Sequence, residues 1–352
     1  MAKPNSKKRA VTPVKAYRRF CSQPAVRTRA FTADVHPGRA EAIISNDKKW
    51  ANGTELTYGF LGGPDSQKAA MRRAFDVWKN IGIGITFRET ADADEATVRI
   101  AFANDGSWSY VGRDVREIQK PEPTMNIGWD ISGDLDTGVH EIGHTLGLQH
   151  EHQNPNAGIV WDEEAVYTAL AAPPNRWSRA TTFNNIIAKL DPRDVTGTTW
   201  DPNSIMHYPF EAGLIVSPPT YANGLQPAGG LSPLDIQWIR TAYPKQSTAP
   251  TMPVLEMHKM VPLKAATGQQ VDFSIKPGST DVYDMQTFGN TDAVLVLVVK
   301  EGDRYRYLAG DDDSGYRYNA HLQQTLTKGK EYVLRARMLY APRNARSHIM
   351  LW

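Results

Sequence analysis

The stretch His140-Glu141-Ile142-Gly143-His144-Thr145-Leu146-Gly147-Leu148-Gln149-His150-Glu151 decides the fold of the chain around it. His140 and His144 are four residues apart, so on a helix both imidazoles leave the same face, one turn apart. Gly147 can adopt a positive φ, end the helix and let His150 return as a third ligand. Three nitrogen ligands and one open position are the pattern of a catalytic zinc site. Glu141, beside the first ligand, can reach a water in that position and accept its proton.

A second motif, Ser204-Ile205-Met206-His207-Tyr208, lies downstream of the histidines. A long histidine motif followed by a methionine turn is the metzincin signature. Glu151 directly after the third histidine, and Tyr208 two residues after Met206, resemble the astacin family of zinc endopeptidases. We therefore expect Zn²⁺, as one catalytic ion, at His140, His144 and His150.

Two upstream stretches carry the same resemblance. Residues 106–113 resemble the family's Cys-Trp-Ser-x-Val-Gly-Arg strand, with Ser107 where the family usually has cysteine. Residues 49–54 resemble the start of its catalytic domain. The resemblance covers about residues 45–245 and implies an α+β metzincin catalytic domain. Such a domain has a twisted mixed sheet, an active-site helix and a Met-turn.

The resemblance also implies roles for residues around the metal. Tyr208 would ligate zinc at rest and swing out to stabilise the oxyanion of the reaction, while Met206 would form an apolar floor under the imidazoles. Glu151 would pair with a buried ammonium or backbone group. The pocket for the residue on the amine side of the cleaved bond would include the segment after the Met-turn. An extended substrate would pair with the edge strand that holds Trp108, Ser109 and Tyr110.

The predicted activity is hydrolysis of peptide bonds in protein or peptide substrates, with Glu141 as general base. One alternative is an inert metzincin scaffold that acts as a binding protein through the C-terminal part of the chain. The presence of both Glu141 and Tyr208 argues against an inert scaffold. A matrixin-type metzincin is a second alternative, and Glu151 and Tyr208 favour the astacin side.

Local patterns predict the elements around these motifs. Residues 54–60 alternate as in a strand, and residues 69–78 follow a helical period. Residues 231–240 have Ser232 as an N-cap and proline at the first helical position, as in a closing helix. Further strands are predicted at residues 85–88, 98–102, 107–112 and 125–129.

Residues 1–45 are predicted to form a basic tail or pro-segment, since nine lysines and arginines precede Asp34, the first acidic residue. Residues 31–34 resemble the astacin pro-segment motif Phe-x-Gly-Asp, and Cys21 resembles a cysteine switch. A carboxylate or thiolate in the water position silences a zinc protease. Asp34 and Cys21 are therefore both candidate latency ligands, and the alternative for each is an ordinary surface residue.

Composition sets the remaining limits. The 352 residues allow two domains, and the net charge of +2 gives no reason to expect nucleic acid as a partner. Cys21 is the single cysteine, so no intrachain disulfide can form. We see no Sec signal peptide and no apolar run long enough to span a membrane. The expectation is a monomer that is extracellular or delivered by a non-Sec route.

The last hundred residues have a different pattern. We predict a catalytic domain at residues 46–245, a linker at 246–253 and an all-β sandwich at 254–352. The sandwich resembles the bacterial pre-peptidase C-terminal domain. Its oxygen-rich loop at residues 310–315 has ligands for Ca²⁺ but lacks EF-hand spacing, and a solvated turn is the favoured interpretation.

Overall fold

The computed structural model describes residues 19–24, 48–191, 199–245, 252–316 and 319–352. A five-stranded sheet lies in the first half of the chain and has the strand order β2-β1-β3-β5-β4. Strands β1, β2, β3 and β5 run parallel, and β4 is an antiparallel edge strand. These strands are β1 (Glu55–Phe60), β2 (Thr86–Glu89), β3 (Val98–Ala101), β4 (Trp108–Ser109) and β5 (Met125–Asn126).

Helices cover this sheet and extend the unit. Helix α1 buries Ala70, Met71, Ala74, Phe75 and Trp78 against the strands and the active-site helix α2. The Trp78 Nε1 donates to the Val139 carbonyl at 3.0 Å, so the two helices are also joined by a hydrogen bond. The α-helices are α1 (Asp65–Asn80), α2 (Asp136–Thr145), α3 (Glu163–Ala171), α4 (Arg179–Thr182) and α5 (Pro233–Ala242).

Shorter elements complete the unit. Two two-stranded sheets pair β6 (Val160–Trp161) with β8 (Ile215–Ser217), and β7 (Phe210–Glu211) with β9 (Gly224–Leu225). Single turns of 3₁₀ helix lie at Gly112–Arg116, Glu151–Gln153, Pro155–Ala157 and Pro219–Tyr221, and a π-helical turn lies at Phe183–Ile187.

The edge strand is shorter than the sequence indicates. A strand over residues 107–112 was expected, but β4 contains only Trp108 and Ser109. Gly112 has a φ of +52° and begins a 3₁₀ helix, and a Cβ there would overlap the Lys48 carbonyl oxygen. The N–H of Arg113 donates to that same carbonyl at 3.0 Å. The close approach of residue 48 therefore ends the strand.

The C-terminal part is an antiparallel β-sandwich. One sheet has the order β10-β17-β12-β15 and the other β11-β16-β13-β14. The strands are β10 (Val261–Pro262), β11 (Gln270–Ile275), β12 (Asp281–Phe288), β13 (Asp292–Glu301), β14 (Arg304–Asp311), β15 (His321–Leu326), β16 (Tyr332–Tyr340) and β17 (His348–Leu351). The expected fold class, an α+β metzincin unit followed by an all-β sandwich, is thus confirmed.

Strand β13 explains how the sandwich meets the first unit. Leu295 and Leu297 belong to the core between the two sheets, whereas Val296 and Val298 pack on the other face with Ala51. A strand that is buried on both faces has a continuous apolar run rather than an alternating one. The predicted limits of the tail and linker fall mostly outside the described residues and stay predictions. Within the described residues, no helix is long and apolar enough to cross a membrane.

Candidate active site

The three motif histidines converge as their spacing predicts. His140 and His144 lie one turn apart on α2, and Gly147, with a φ of +95°, turns the chain after the helix so that His150 faces both. The Nε2 atoms of His144 and His150 are 3.1 Å apart. All three side chains are at least nine-tenths buried. The sequence therefore folds into a compact nitrogen cluster at the end of one helix.

Hydrogen bonds orient each imidazole. The Nδ1 of His140 donates to the Ile205 carbonyl at 2.8 Å, and the Nδ1 of His144 donates to the Leu148 carbonyl at 2.8 Å. The Nδ1 of His150 lies 3.2 Å from Gln153 Oε1. Because the outer nitrogens carry these protons, the three Nε2 lone pairs face the centre. Such bonds are the usual supports of metal-binding histidines.

Burial sets the protonation of the cluster. Desolvation lowers the pKa of His140 to about 4, and desolvation and the neighbouring imidazoles lower the pKa values of His144 and His150 well below the usual range. Neutral imidazole is the form that binds a metal ion. The ligand atoms of Cys21, His140, His144 and His150 all lie within 4.8 Å of one another, so the donor set fits one zinc ion.

Glu141 lies next to this cluster, with its carboxylate close to the Cys21 thiol. The residue is fully buried, and neither carboxylate oxygen has a hydrogen-bond partner among the described residues. Buried polar groups are rarely left unpaired unless a ligand or water completes them. Burial also raises the pKa of Glu141 well above its usual range. Both properties suit a group that accepts a proton during a reaction.

The Met-turn lies beneath the active-site helix. Met206 is buried, and a Cβ at Gly143 would lie 2.5 Å from its Sδ. Only glycine at position 143 therefore allows the active-site helix to pack this closely on the Met-turn. Asp235 of α5 accepts the Ser204 hydroxyl at 2.6 Å and the N–H of Ile205 at 2.8 Å. The predicted Ser232 N-cap forms a capping box with Asp235. One carboxylate thus links the closing helix to the floor of the site.

Tyr208 reaches the cluster from the Met-turn side. Its hydroxyl lies 2.7 Å from His150 Nε2 and donates to the Cys21 carbonyl at 2.6 Å. The His152 ring stacks on Tyr208 with centroids 4.5 Å apart, and its Nε2 donates to the Asn185 carbonyl. The ligand cluster of the described residues does not include His152. His152 therefore lies against Tyr208 rather than facing the metal position.

Cys21 lies directly opposite the histidines. Its sulfur is 3.4 Å from His140 Nε2, 3.5 Å from His144 Nε2 and 3.3 Å from His150 Nε2. It occupies the side of the cluster that three protein ligands would leave open. Burial and the charge of Glu141 raise the pKa of this thiol well above its usual range when no cation is present. Asp34, the other candidate latency ligand, lies outside the described residues.

Residues 19–24, which we call the tail segment, have no regular secondary structure and lie against the histidine cluster. The Phe20 N–H donates to Asn175 Oδ1 at 3.0 Å, and the Gln23 N–H donates to Asn185 Oδ1 at 2.8 Å. The Ser22 N–H donates to the Ser107 carbonyl at 3.0 Å, directly before the edge strand β4. The Phe20 ring packs on Tyr208, Phe210 and Trp177.

The other predicted site residues are Glu151 and the residues of the edge segment. Glu151 accepts the Asp201 N–H at 2.9 Å and the Asn154 amide at 3.0 Å, and burial raises its pKa to about 7. Ser109 turns its hydroxyl inward, 3.2 Å from that of Thr145. The neighbours of Ser109 in the edge segment, Trp108 and Tyr110, are half-buried and contact each other edge to face.

The loop considered for Ca²⁺ is organised as a turn. Asp311 Oδ2 accepts the N–H of Ser314 at 3.1 Å and the N–H of His321 at 2.8 Å. The residues described at this loop do not bring together three carboxylate, histidine or cysteine ligands. The structure therefore gives no support to a calcium site there.

Several residues that shape the site were not singled out from the sequence. Gly143, Asp235 and Gln153 all touch the Met-turn or a ligand, yet none of them stands at a motif position that we used. Asp235 carried a usable signal, since a carboxylate three residues after Ser232 is the pattern of a capping box. Its second role, holding the Met-turn, depends on contacts between segments thirty residues apart.

The fold and this site together define a metzincin-type zinc peptidase unit. The model of the peptidase family Astacin matches residues 42–243, so the chain belongs to the astacin family. The chain is 29% identical over 210 residues to bone morphogenetic protein 1 of Xenopus laevis, which covers 56% of this chain. It is 33% identical over 181 residues to serralysin of Photorhabdus luminescens, which covers 38% of this chain. The chain spans 27% and 36% of the lengths of these two relatives.

One solved structure agrees with this assignment. The structure of myroilysin is similar with a TM-score of 0.53 at 33% identity, covering 58% of this chain and 98% of that one. Zinc metalloproteinases are among the relatives, one of them nas-36 of Haemonchus contortus, and zinc is the catalytic metal of this family. A pre-peptidase C-terminal domain of a Bacillus anthracis collagenase matches 30% of the chain at 10% identity and a TM-score of 0.25.

Proposed function

We propose that this protein is a zinc-dependent endopeptidase that hydrolyses peptide bonds in proteins. The observation that carries the proposal is the convergence of three neutral imidazoles beside Glu141, whose two carboxylate oxygens are buried without partners among the described residues. Zinc held by His140, His144 and His150 would polarise the scissile carbonyl and lower the pKa of water. The family assignment supports the same class of reaction.

Two side chains handle the proton and the charge. Glu141 accepts the proton of the attacking water and later returns it to the leaving amine. The Tyr208 hydroxyl, 2.7 Å from His150 Nε2, is close enough to the metal position to donate to the carbonyl oxygen as negative charge develops on it. His152 stacks on the Tyr208 ring and limits where that ring can move.

The substrate backbone binds along the edge strand β4. In the part of the chain that the structure describes, this strand pairs with β5 alone and ends the sheet. The tail segment already uses this edge, through the bond from Ser22 to the Ser107 carbonyl. Since the Ser109 side chain points inward, the backbone of Trp108, Ser109 and Tyr110 makes the contact with an extended peptide.

We also propose that Cys21 keeps the full chain latent. Its sulfur lies 3.3–3.5 Å from the three ligand nitrogens, so zinc in the cluster would lie within its reach as a fourth ligand. A cation there would favour the thiolate that burial otherwise disfavours. Activation then requires removal of the tail segment or modification of this thiol. The placement of Cys21 favours it over Asp34 as the latency ligand, and an extracellular site of action fits a chain that is activated in this way.

The function is tested with full-length chains that carry Cys21→Ala, loaded with one equivalent of zinc and supplied with casein. Glu141→Gln on this background should retain zinc and lose at least about a hundredfold in cleavage rate, because the proton acceptor is gone. The exposed Glu95→Gln serves as the matched control. Equal cleavage by the Glu141 variant would refute the proposed mechanism. No cleavage by any zinc-loaded chain would favour the inert binding scaffold.

Latency is tested separately by comparing the parent chain with Cys21→Ala. The parent should cleave casein at least about tenfold more slowly, because the thiolate holds the position that water needs, and a thiol-reactive mercurial should remove most of that difference. If the parent and the variant cleave equally fast, Cys21 does not enforce latency.

A further inference from the structure

A cavity of about 420 Å³ lies beside Glu141. It is bounded on one side by the first turn of α2, with Asp134, Asp136 and Thr137, and on the other by Pro209 and Pro227 after the Met-turn. Pro209 and Pro227 belong to the segment after the Met-turn, which was expected to contribute to the pocket for the residue on the amine side of the cleaved bond. Because Glu141 lines the same cavity, a side chain bound there belongs to the peptide that is being cleaved.

The residues of the catalytic unit that line this cavity give it negative charge. Among its described residues, the catalytic unit places no lysine or arginine in the lining to neutralise that charge. Asp136 is half-buried and accepts the Gly230 N–H at 3.0 Å, while Asp134 accepts the N–H of Asp136 at 3.0 Å. Both carboxylates keep an oxygen for another donor. Among the described residues, neither has an ion pair. Arg19 of the tail segment is the only lysine or arginine among the described lining residues.

Two independent observations indicate that the cavity takes a ligand. The Arg19 guanidinium lies 5.7 Å from the centre of the Trp129 ring, and both residues line the cavity, so a cation of the tail segment already lies over an aromatic face there. The fully buried Glu141 carboxylate also lines the cavity, and neither of its oxygens has a hydrogen-bond partner among the described residues. An arginine or lysine of a substrate would replace Arg19 once the tail segment leaves.

We infer that this cavity is a specificity pocket that selects peptides with lysine or arginine directly on the amine side of the scissile bond, through Asp134, Asp136 and Trp129. The inference rests on the proposed endopeptidase function and adds the substrate class to it. The half-buried Asp136 carboxylate gives such selectivity because a neutral or acidic side chain leaves it unpaired, and the exposed Asp134 adds negative charge at the same cavity.

The test uses the full-length Cys21→Ala chain and fluorescence-quenched peptides of one sequence. The peptides differ only in the residue after the scissile bond, which is lysine, arginine, norleucine or aspartate, and mass spectrometry verifies the cleavage position. We expect kcat/KM for the lysine and arginine peptides to exceed that for norleucine by about tenfold or more, the discrimination that one such charge contact provides. The aspartate peptide should be the poorest substrate.

Variants assign the preference to the two carboxylates. Asp134→Asn with Asp136→Asn should reduce the preference for lysine over norleucine to less than about threefold, because the charge contact with the substrate ammonium is lost. Asparagine at 136 still accepts the Gly230 N–H, so the first turn of α2 is preserved. Asp130→Asn, which removes an exposed charge from the same loop outside the cavity, is the matched control and should keep the full preference.

Several results would contradict the pocket assignment or the proposed function, and they can be told apart. A parental chain that cleaves all four peptides with similar kcat/KM refutes the pocket assignment and leaves the endopeptidase function standing. Equal loss for lysine and norleucine peptides in the double variant refutes it as well, because a purely structural role lowers both. If the double variant does not fold, the exposed single change Asp134→Asn must still lower the preference by about threefold. A chain that cleaves casein but none of the four peptides refutes the pocket assignment alone, whereas a chain that cleaves neither casein nor the peptides overturns the function as well.

Discussion

Ionisable side chains are buried in two regions of this protein, with different consequences. Around Glu141 the buried groups converge on one point, and the two carboxylate oxygens there have no partner among the described residues. On the face of β16 that meets the catalytic unit, Arg335 and Arg337 are equally buried, and some of their guanidinium nitrogens also lack a hydrogen-bond partner among the described residues, but the two side chains follow one strand instead of meeting at one point. Arg335 lies 3.6 Å from Asp272, and Arg337 donates to the Trp50 carbonyl. The active site is therefore distinguished from the interface by the convergence of its ionisable side chains on one point, and not by their burial alone.

The sandwich region contacts the catalytic region through residues 50–52 and through Arg116. Trp50 donates from Nε1 to the Thr145 carbonyl at 2.7 Å, at the end of the active-site helix, and accepts Arg337 on its own carbonyl. Asn52 exchanges two hydrogen bonds with Gln270, and the Arg116 guanidinium lies 3.5 Å over the Tyr307 ring. Substitutions around Glu141 should therefore change the rate of catalysis, and substitutions at the interface with the sandwich should change the unfolding free energy.

The largest effect is expected in the reactive region, at Tyr208. Tyr208→Phe on the Cys21→Ala background should lower kcat by about 10²–10³-fold, since it removes one donor to the developing oxyanion. Bound zinc, measured by elemental analysis, should stay at one equivalent because the three histidines remain. Tyr221→Phe, in the cluster of aromatic residues around Tyr208, should leave kcat within about twofold. A Tyr208 variant as active as this control would mean that the hydroxyl serves only the latent state.

The next largest effect is expected at Gly143, where packing against Met206 controls both stability and zinc binding. Gly143→Ala places a Cβ 2.5 Å from the Met206 sulfur, so the helix or the Met-turn must shift. Overpacking of this kind should destabilise the protein by about 1–3 kcal/mol and lower the zinc affinity, because the histidines on α2 move with it. Gly133→Ala, where nothing lies within 4 Å of the added carbon, is the control. If Gly143→Ala and the control have the same unfolding free energy in urea and the same zinc affinity, Met206 can move aside without affecting the site.

Much of the catalytic centre was predictable because its residues are close in sequence. The i, i+4 pair His140 and His144, the turn at Gly147 and the Met206 motif each follow from local geometry. The sandwich gave a similar local signal, since the unbroken apolar run of β13 is typical of a strand buried on both faces.

The placement of Cys21 was not predictable in the same way. In the sequence Cys21 and Asp34 stand as equal candidates, because nothing local decides which part of a tail enters a cleft. The structure holds the tail segment through Asn175 and Asn185, more than 150 residues away, and through an aromatic contact with Trp177. The shortened edge strand has the same kind of cause, since Lys48 approaches Gly112 from a distant part of the chain.

The interface between the two units should show a smaller effect on stability. Arg337→Met removes the donor to the Trp50 carbonyl and should destabilise the protein by about 1–2 kcal/mol, because that buried acceptor is left unpaired. Arg306→Met, an exposed pair with Glu301, is the matched control and should change the unfolding free energy by less than about 0.5 kcal/mol. A thermal unfolding midpoint equal to that of the control would show that Arg337 does not connect the units.

The smallest effect concerns pH. Burial and the nearby Arg337 lower the pKa of Lys49 to about 8, below the 10.5 of an exposed lysine. Between these values the unfolded chain binds more protons at this site than the folded one, so the contribution of Lys49 to stability rises with pH from about 8 to 10.5. Lys49→Met should therefore stabilise the protein by about 1 kcal/mol at pH 7, and the gain should shrink at pH 10.

The matched control for this change is the exposed Lys330→Met, whose effect on the unfolding free energy should be near zero at both pH values. Measuring urea unfolding at pH 7 and pH 10 for both variants separates titration of Lys49 from a general loss of positive charge. A stabilisation by Lys49→Met that is unchanged at pH 10 would come from packing of the methionine. A gain that shrinks with pH means that the interface, like the active site, buries an ionisable group at a cost in stability.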